Sequence, residues 1–191
     1  MTRPSFCFFR SALRLIFALH LSNLIMAEKS EARVLADCYQ DVRKLTKFYL
    51  SKAATIDEHE RIVANGVRLN SLYWLTGHLA WAENALLLKA IGGEPLDIPW
   101  LDRFELGADF EYDSSLPPHD ELVKTMDTIH DRAMRTILSM TPEQLEEPQL
   151  DTGLFGPEAQ KRTIIRHAIR HEPCHAGQIG WLCKMHGIET I

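Results

Sequence analysis

The sequence predicts an all-α protein, a four-helix bundle with long connections after its second and third helices and an extra apolar segment at the N-terminus. Three observations predict it. Four stretches repeat apolar residues at intervals of three and four, no stretch alternates well enough to be a strand, and clusters of Pro and Gly separate the periodic segments. With 191 residues, 46% hydrophobic and 25% charged, the chain has the size and composition of one globular domain and not of a disordered or fibrous one.

Residues 1–25 stand apart. Arg3, Arg10 and Arg14 lead into an apolar run, Leu15 to Met26, that imitates the core of a signal peptide. His20 and Asn23 interrupt it, Ile25 occupies a place where cleavage wants a small residue, and the run is too short to span a bilayer. Residues 1–25 are therefore read as an apolar extension upstream of a domain start at Met26, packed loosely or against a partner, with a signal-like segment as the alternative, and residues 26–191 as the domain.

Helix one follows from Leu35, Cys38, Val42, Leu45 and Tyr49. The polar segment 56–69 reads as a connector. Asn70 or Ser71 can cap helix two, which carries Trp74, Leu75, His78, Trp81, Ala82 and Ala85 on one face and stops at Gly92-Gly93 near Ile91. Residues 92–116 form a long loop with aromatic anchors in Trp100, Phe104 and Phe110. Pro117-Pro118 followed by Asp120 and Glu121 opens helix three, with Leu122, Met126, Ile129, Ala133, Ile137 and Met140 in period up to Thr141-Pro142. A second loop, 142–157, precedes helix four, whose period runs from Ile164 to Leu182 and ends near His186-Gly187.

A net charge of -5 and the lack of a basic run exclude general attraction to nucleic acid. Cys7, Cys38, Cys174 and Cys183 have no Cys-x-x-Cys spacing, so neither a zinc knuckle nor a dithiol motif is present, and a reducing, cytoplasmic setting fits.

The chemistry lies in the histidines. His167, His171 and His175 follow one another at four-residue steps on one face of helix four, the spacing that lets a helix offer two imidazoles to one ion. A pair needs a third ligand, and His78, midway along helix two among Trp74, Trp81 and Ala85, is the candidate. A lone histidine on an apolar stripe is more often a hydrogen-bonded core residue, so His78 gains weight only from the pair.

Asn70-Ser-Leu-Tyr-Trp-Leu-Thr-Gly-His78-Leu-Ala-Trp81 and His171-Glu-Pro-Cys-His175-Ala-Gly-Gln178-Ile resemble the two histidine motifs of the DinB-like (damage-inducible B) family of metal-binding four-helix bundles. The resemblance spans roughly residues 27–190 in helix order and loop placement. It implies metal ligation by His78, His171 and His175. Three imidazoles leave a divalent ion an open position, and imidazole suits zinc, nickel, copper and iron alike. His167 is expected beside the ligands and not among them, and Gln178 is expected to bond a ligand or line the pocket. Cys174 could bring a thiolate near the metal, although a small buried hydrophobe is its commoner role.

Among relatives the resemblance implies transferases of low-molecular-weight thiols and hydrolases, so a small-molecule substrate and a thiol cofactor are expected possibilities. Arg103, Arg166 and Arg170 are the cations available to such a thiol's carboxylates. The alternative is a non-catalytic metal-binding stress-response or self-association module, and a homodimer fits either reading. His171-Glu172-Pro173-Cys174-His175 also satisfies the His-Glu-x-x-His peptidase pattern. Against that, Trp181 stands where a third metzincin histidine would fall, no sheet is expected to align a peptide, and Glu172 is expected to point away from the ion or pair with a Lys or Arg. Pro173 should bend or open helix four.

Overall fold

The computed structural model describes residues 30–108, 110–150 and 155–190, so the expected extension 1–25 lies outside the described residues. Four long helices form the bundle: α1 (Glu31–Lys52), α2 (Leu72–Asn84), α3 (His119–Leu138) and α5 (Lys161–Met185), with a short α4 (Pro142–Glu146) before the last. The helix four of the sequence reading is α5. Each long helix packs on two others, α1 on α5 and α3, and α2 on α3 and α5, which closes a ring around one core. Among the described residues no helix is long and apolar enough to cross a membrane.

Ser30 caps α1 by accepting the Arg33 amide at 3.2 Å. The buried face of α1 is Ala32, Leu35, Ala36, Tyr39, Arg43 and Thr46. It is rotated from the expected stripe: Cys38 is exposed, while Val42, Leu45 and Tyr49 sit at its half-buried margin. The shift arises because a charged residue, Arg43, lies at the centre of the interface with partners described below. The connector folds into a two-residue antiparallel hairpin, β1 (Val63–Ala64) and β2 (Val67–Arg68). Asn65 and Gly66 turn it with φ of 51° and 78°, the left-handed pair such a tight turn requires.

Ser71 caps α2, accepting the Trp74 amide at 3.2 Å. The helix is buried nearly all round, because the turn Leu101–Phe104 covers a face that α3 and α5 leave open. It continues past Asn84 as a π-turn, Ala85–Lys89, in which the Ala90 amide reaches the Ala85 carbonyl at 2.9 Å. The long loop is pinned to it by the Asn84 side chain, which donates to the Leu96 carbonyl at 3.0 Å and accepts the Leu96 amide at 2.9 Å. A 3-10 turn, Leu101–Phe104, then buries Phe104 against Tyr73 and Phe110.

Pro118 precedes α3, whose buried Leu122, Met126, Ile129, Ala133 and Ile137 follow the expected period. The loop expected at 142–157 contains α4, closed by a capping box between Thr141 and Gln144. Pro173 does not break α5, which runs unbroken from Lys161 to Met185. The proline removes one amide donor, and the turns on either side are held by their packing on α1 and α2.

Candidate metal centre

His78 sits mid-way along α2, only 1% exposed. Helical spacing stacks its ring on Trp74 one turn earlier, with centroids 4.6 Å apart and planes 8° from parallel, and on Trp81 at 5.6 Å. Its Nδ1 lies 2.8 Å from the Phe104 carbonyl. A carbonyl only accepts, so Nδ1 carries the proton and Nε2 presents a lone pair. Gly77 makes this contact possible: a Cβ built there would lie 2.6 Å from Phe104 Cγ, so only glycine lets the Phe104 turn lie against the helix beside His78.

From α5, His171 and His175 turn to the same point. His171 Nε2 is 3.4 Å from His78 Nε2 and 3.1 Å from His175 Nε2. His175 Nδ1 donates to Gln178 Oε1 at 2.9 Å, which leaves its Nε2 free to ligate. The three ligand atoms all lie within 4.8 Å of one another. Zinc–nitrogen bonds of ~2.0–2.1 Å in a tetrahedron would separate neighbouring nitrogens by about 3.3 Å, which matches the two shorter edges.

Burial keeps these rings neutral. It pushes His78 from 6.5 down to about 4 despite the opposing bond to Phe104. It pushes His171 down to about 3, with His175 and His78 adding to the effect, and it lowers His175 as well. His78 and His175 each turn an Nε2 lone pair inward, and His171 Nε2 between them can add a third when its proton sits on Nδ1. The donor set therefore fits a divalent ion.

The nitrogens open into a cavity of about 500 Å³ whose walls include Trp74, Trp81, Leu86, Leu106, Phe155 and His167. His167 is on this wall, its ring 5.6 Å from that of His171 and edge-on to Phe155 at 4.7 Å. Gln178 lies one turn beyond His175 and bonds it through Oε1.

Cys174 takes neither of its expected roles. It is exposed, and its thiol donates to the Arg170 carbonyl at 3.2 Å, because one residue of rotation before His175 turns it off the cavity face. The arginines do not line the cavity either. Arg103 is held by the Glu111 carbonyl and Asp113, Arg166 by Glu31, and Arg170 is exposed. Glu172 is 2% exposed and bonds Arg43 and Thr46 of α1, so it pairs with an arginine and is closed to substrate.

Sequence reasoning missed Gly77 and the Phe104 carbonyl, although a glycine directly before His78 in an apolar helix was a usable sign. It also missed Arg43, Glu83 and His130, for which nothing in the helical period distinguishes a buried charge from a solvated one.

The family description of the DinB superfamily matches residues 39–179, most of the chain. The chain belongs to the DinB superfamily. The match to the DinB superfamily starts within α1 and ends within α5, and it contains all three converging histidines. Family membership and the histidine group together fit a metal-binding helical protein. A search of curated proteins finds no match.

Proposed function

We propose that this DinB-superfamily protein is a metal-dependent enzyme in which His78, His171 and His175 hold a divalent ion, zinc, nickel or iron, beneath a small-molecule pocket. The convergence of three imidazole nitrogens at the floor of an apolar cavity carries this reading. Bound there, the ion supplies an open coordination position that lowers the pKa of a thiol or a water, the chemistry of thiol S-transfer or of hydrolysis.

The chain's own residues do the rest. The Phe104 carbonyl and Gln178 fix which imidazole nitrogens face inward. Trp74 and Trp81 wall the buried side of His78 against water and offer flat apolar surface to a substrate. Arg103 and Arg166 are held by other groups, and the exposed Arg170, whose charge reaches His167 on the cavity wall, is the cation open to an anionic substrate or thiol. The test is turnover by protein reconstituted separately with zinc, nickel and iron, measured as transfer of small thiols to an electrophilic arene and as hydrolysis of nitrophenyl esters. Activity in the wild type and none in His171→Ala supports the enzyme. Full metal loading of the wild type with no turnover above His171→Ala in either assay favours a non-catalytic metal-binding module instead.

The free Cys38, Cys174 and Cys183 support a reducing, cytoplasmic setting. Exposed Trp181 and Met185 at the end of α5, which share an apolar cavity with Ala64 and Leu69 of the hairpin segment, support self-association as a homodimer. Light scattering at twice the chain mass is the expected result.

A further inference from the structure

We infer that Arg43, Glu83 and Glu172 form a register clamp that positions the metal ligands of α2 and α5; the inference rests on the metal reading above. One group comes from each long helix: Arg43 from α1, Glu83 from α2, His130 from α3 and Glu172 from α5. They are 1%, 2%, 5% and 2% exposed. The guanidinium grips Glu172 with a fork, Nε to Oε1 at 2.8 Å and Nη2 to Oε2 at 3.0 Å, and reaches Glu83 Oε2 from Nη2 at 2.5 Å. Thr46 donates to Glu172 Oε1 at 2.7 Å, and His130 Nδ1 donates to Glu83 Oε1 at 2.8 Å. Every carboxylate oxygen of the pair thus has a partner.

The placement relates this cluster to the metal centre. Glu172 directly follows His171, and Glu83 lies five residues after His78 on the same helix. A single planar group therefore ties together the two helices that must bring Nε2 atoms to within 3.4 Å of one another. As a source of stability such a cluster is inefficient, because desolvation of buried charges offsets most of their attraction and apolar side chains often do as well. What it supplies is direction. Apolar contact is non-directional, whereas a guanidinium fork fixes both the distance and the angle at which a carboxylate meets it. Ligand distances matter at the level of ~0.2 Å, so this is the tolerance the helices must keep. Glu172 is then a positioning residue, with both oxygens committed away from the cavity, and not a general base.

The test compares the wild type with Arg43→Lys, which keeps the charge but loses the fork, and with Glu172→Gln, which keeps the shape but loses the charge. Ile129→Val, in α3, which carries no ligand, serves as a stability-lowering control. Zinc affinity is read by chelator competition, and cobalt(II) absorption reports ligand geometry, both well below each melting transition. Both clamp variants are expected to bind zinc ~10-fold more weakly or worse, with altered cobalt bands, while Ile129→Val keeps the wild-type values.

Wild-type zinc affinity and an unchanged cobalt spectrum in both clamp variants would overturn the clamp while leaving the metal site standing. Failure of the wild type to bind either ion would overturn the metal reading, and the clamp with it. Should Arg43→Lys or Glu172→Gln fail to fold, the triple variant Arg43→Met, Glu83→Met, Glu172→Met leaves no unpaired buried charge and takes their place, with the same weakening expected.

Discussion

Replacing Gly77 by alanine should damage the metal centre without touching a ligand. The new Cβ would lie 2.6 Å from Phe104 Cγ, whereas carbon atoms settle at ~3.5–4.0 Å, so the Phe104 turn must retreat by about 1 Å. The ring cannot swing aside, because it is fully buried and packed against Tyr73, Trp100 and Phe110. If the turn moves with its ring, the bond from His78 Nδ1 to the Phe104 carbonyl lengthens from 2.8 Å to about 3.8 Å and is lost. Overpacking costs ~1–3 kcal/mol and the lost bond ~1 kcal/mol, while alanine's helix propensity returns ~1 kcal/mol. The net loss of ~1–3 kcal/mol should lower Tm by about 2–12 °C in a chain of this size. Freed from its carbonyl, His78 should also bind metal ~10–100-fold more weakly. Gly177→Ala is the control, since nothing lies within 4 Å of its built Cβ and it sits in the interior of α5. It should gain up to ~1 kcal/mol. Calorimetry and chelator competition on both variants check this, and a Gly77→Ala protein with wild-type Tm and zinc affinity would refute the steric reasoning.

Gln178→Leu should weaken zinc binding ~10-fold or more by releasing His175 Nδ1, as measured by the same competition. Metal-free protein should lose stability as pH falls. The unfolded chain protonates His78 below its ordinary 6.5 while the folded protein resists until about 4, so the loss accrues between those values and amounts to about 3 kcal/mol from His78 alone. Urea unfolding at pH 7 and pH 4.5 in a chelator checks the sign, and equal stability at the two would contradict it. Cys174→Ser should leave zinc affinity and any turnover within twofold, because the thiol faces away from the cavity; a large loss in a zinc titration would place it at the site after all.

The parts of this protein that were legible in the sequence are those written in apolar period and local chemistry. The stripe Leu122, Met126, Ile129, Ala133 and Ile137 of α3, the Ser71 cap and the i, i+4 pair His171 and His175 each depend on neighbours within two turns. The hairpin at Asn65-Gly66 and the capping box at Thr141 were written there too, but their segments are too short to show a period. Arg43 was illegible for another reason. Whether a charged residue on an amphipathic helix is solvated or buried depends on partners 40 and 129 positions away, which no local pattern records. That one residue rotates the buried face of α1 relative to its apolar stripe. Cys174 misled in the opposite direction, because being next to a ligand in sequence places a helical residue about 100° away from it in space.

Three nitrogens placed to share one ion should give a site that metal content reports directly. Metal analysis and zinc titration of untagged wild-type protein, beside His78→Ala, His171→Ala and His175→Ala, should find one equivalent of divalent metal bound by the wild type. Each variant should lose it. Retention of the native metal content by His78→Ala and His171→Ala would show that the ion, wherever it binds, is not held at this site.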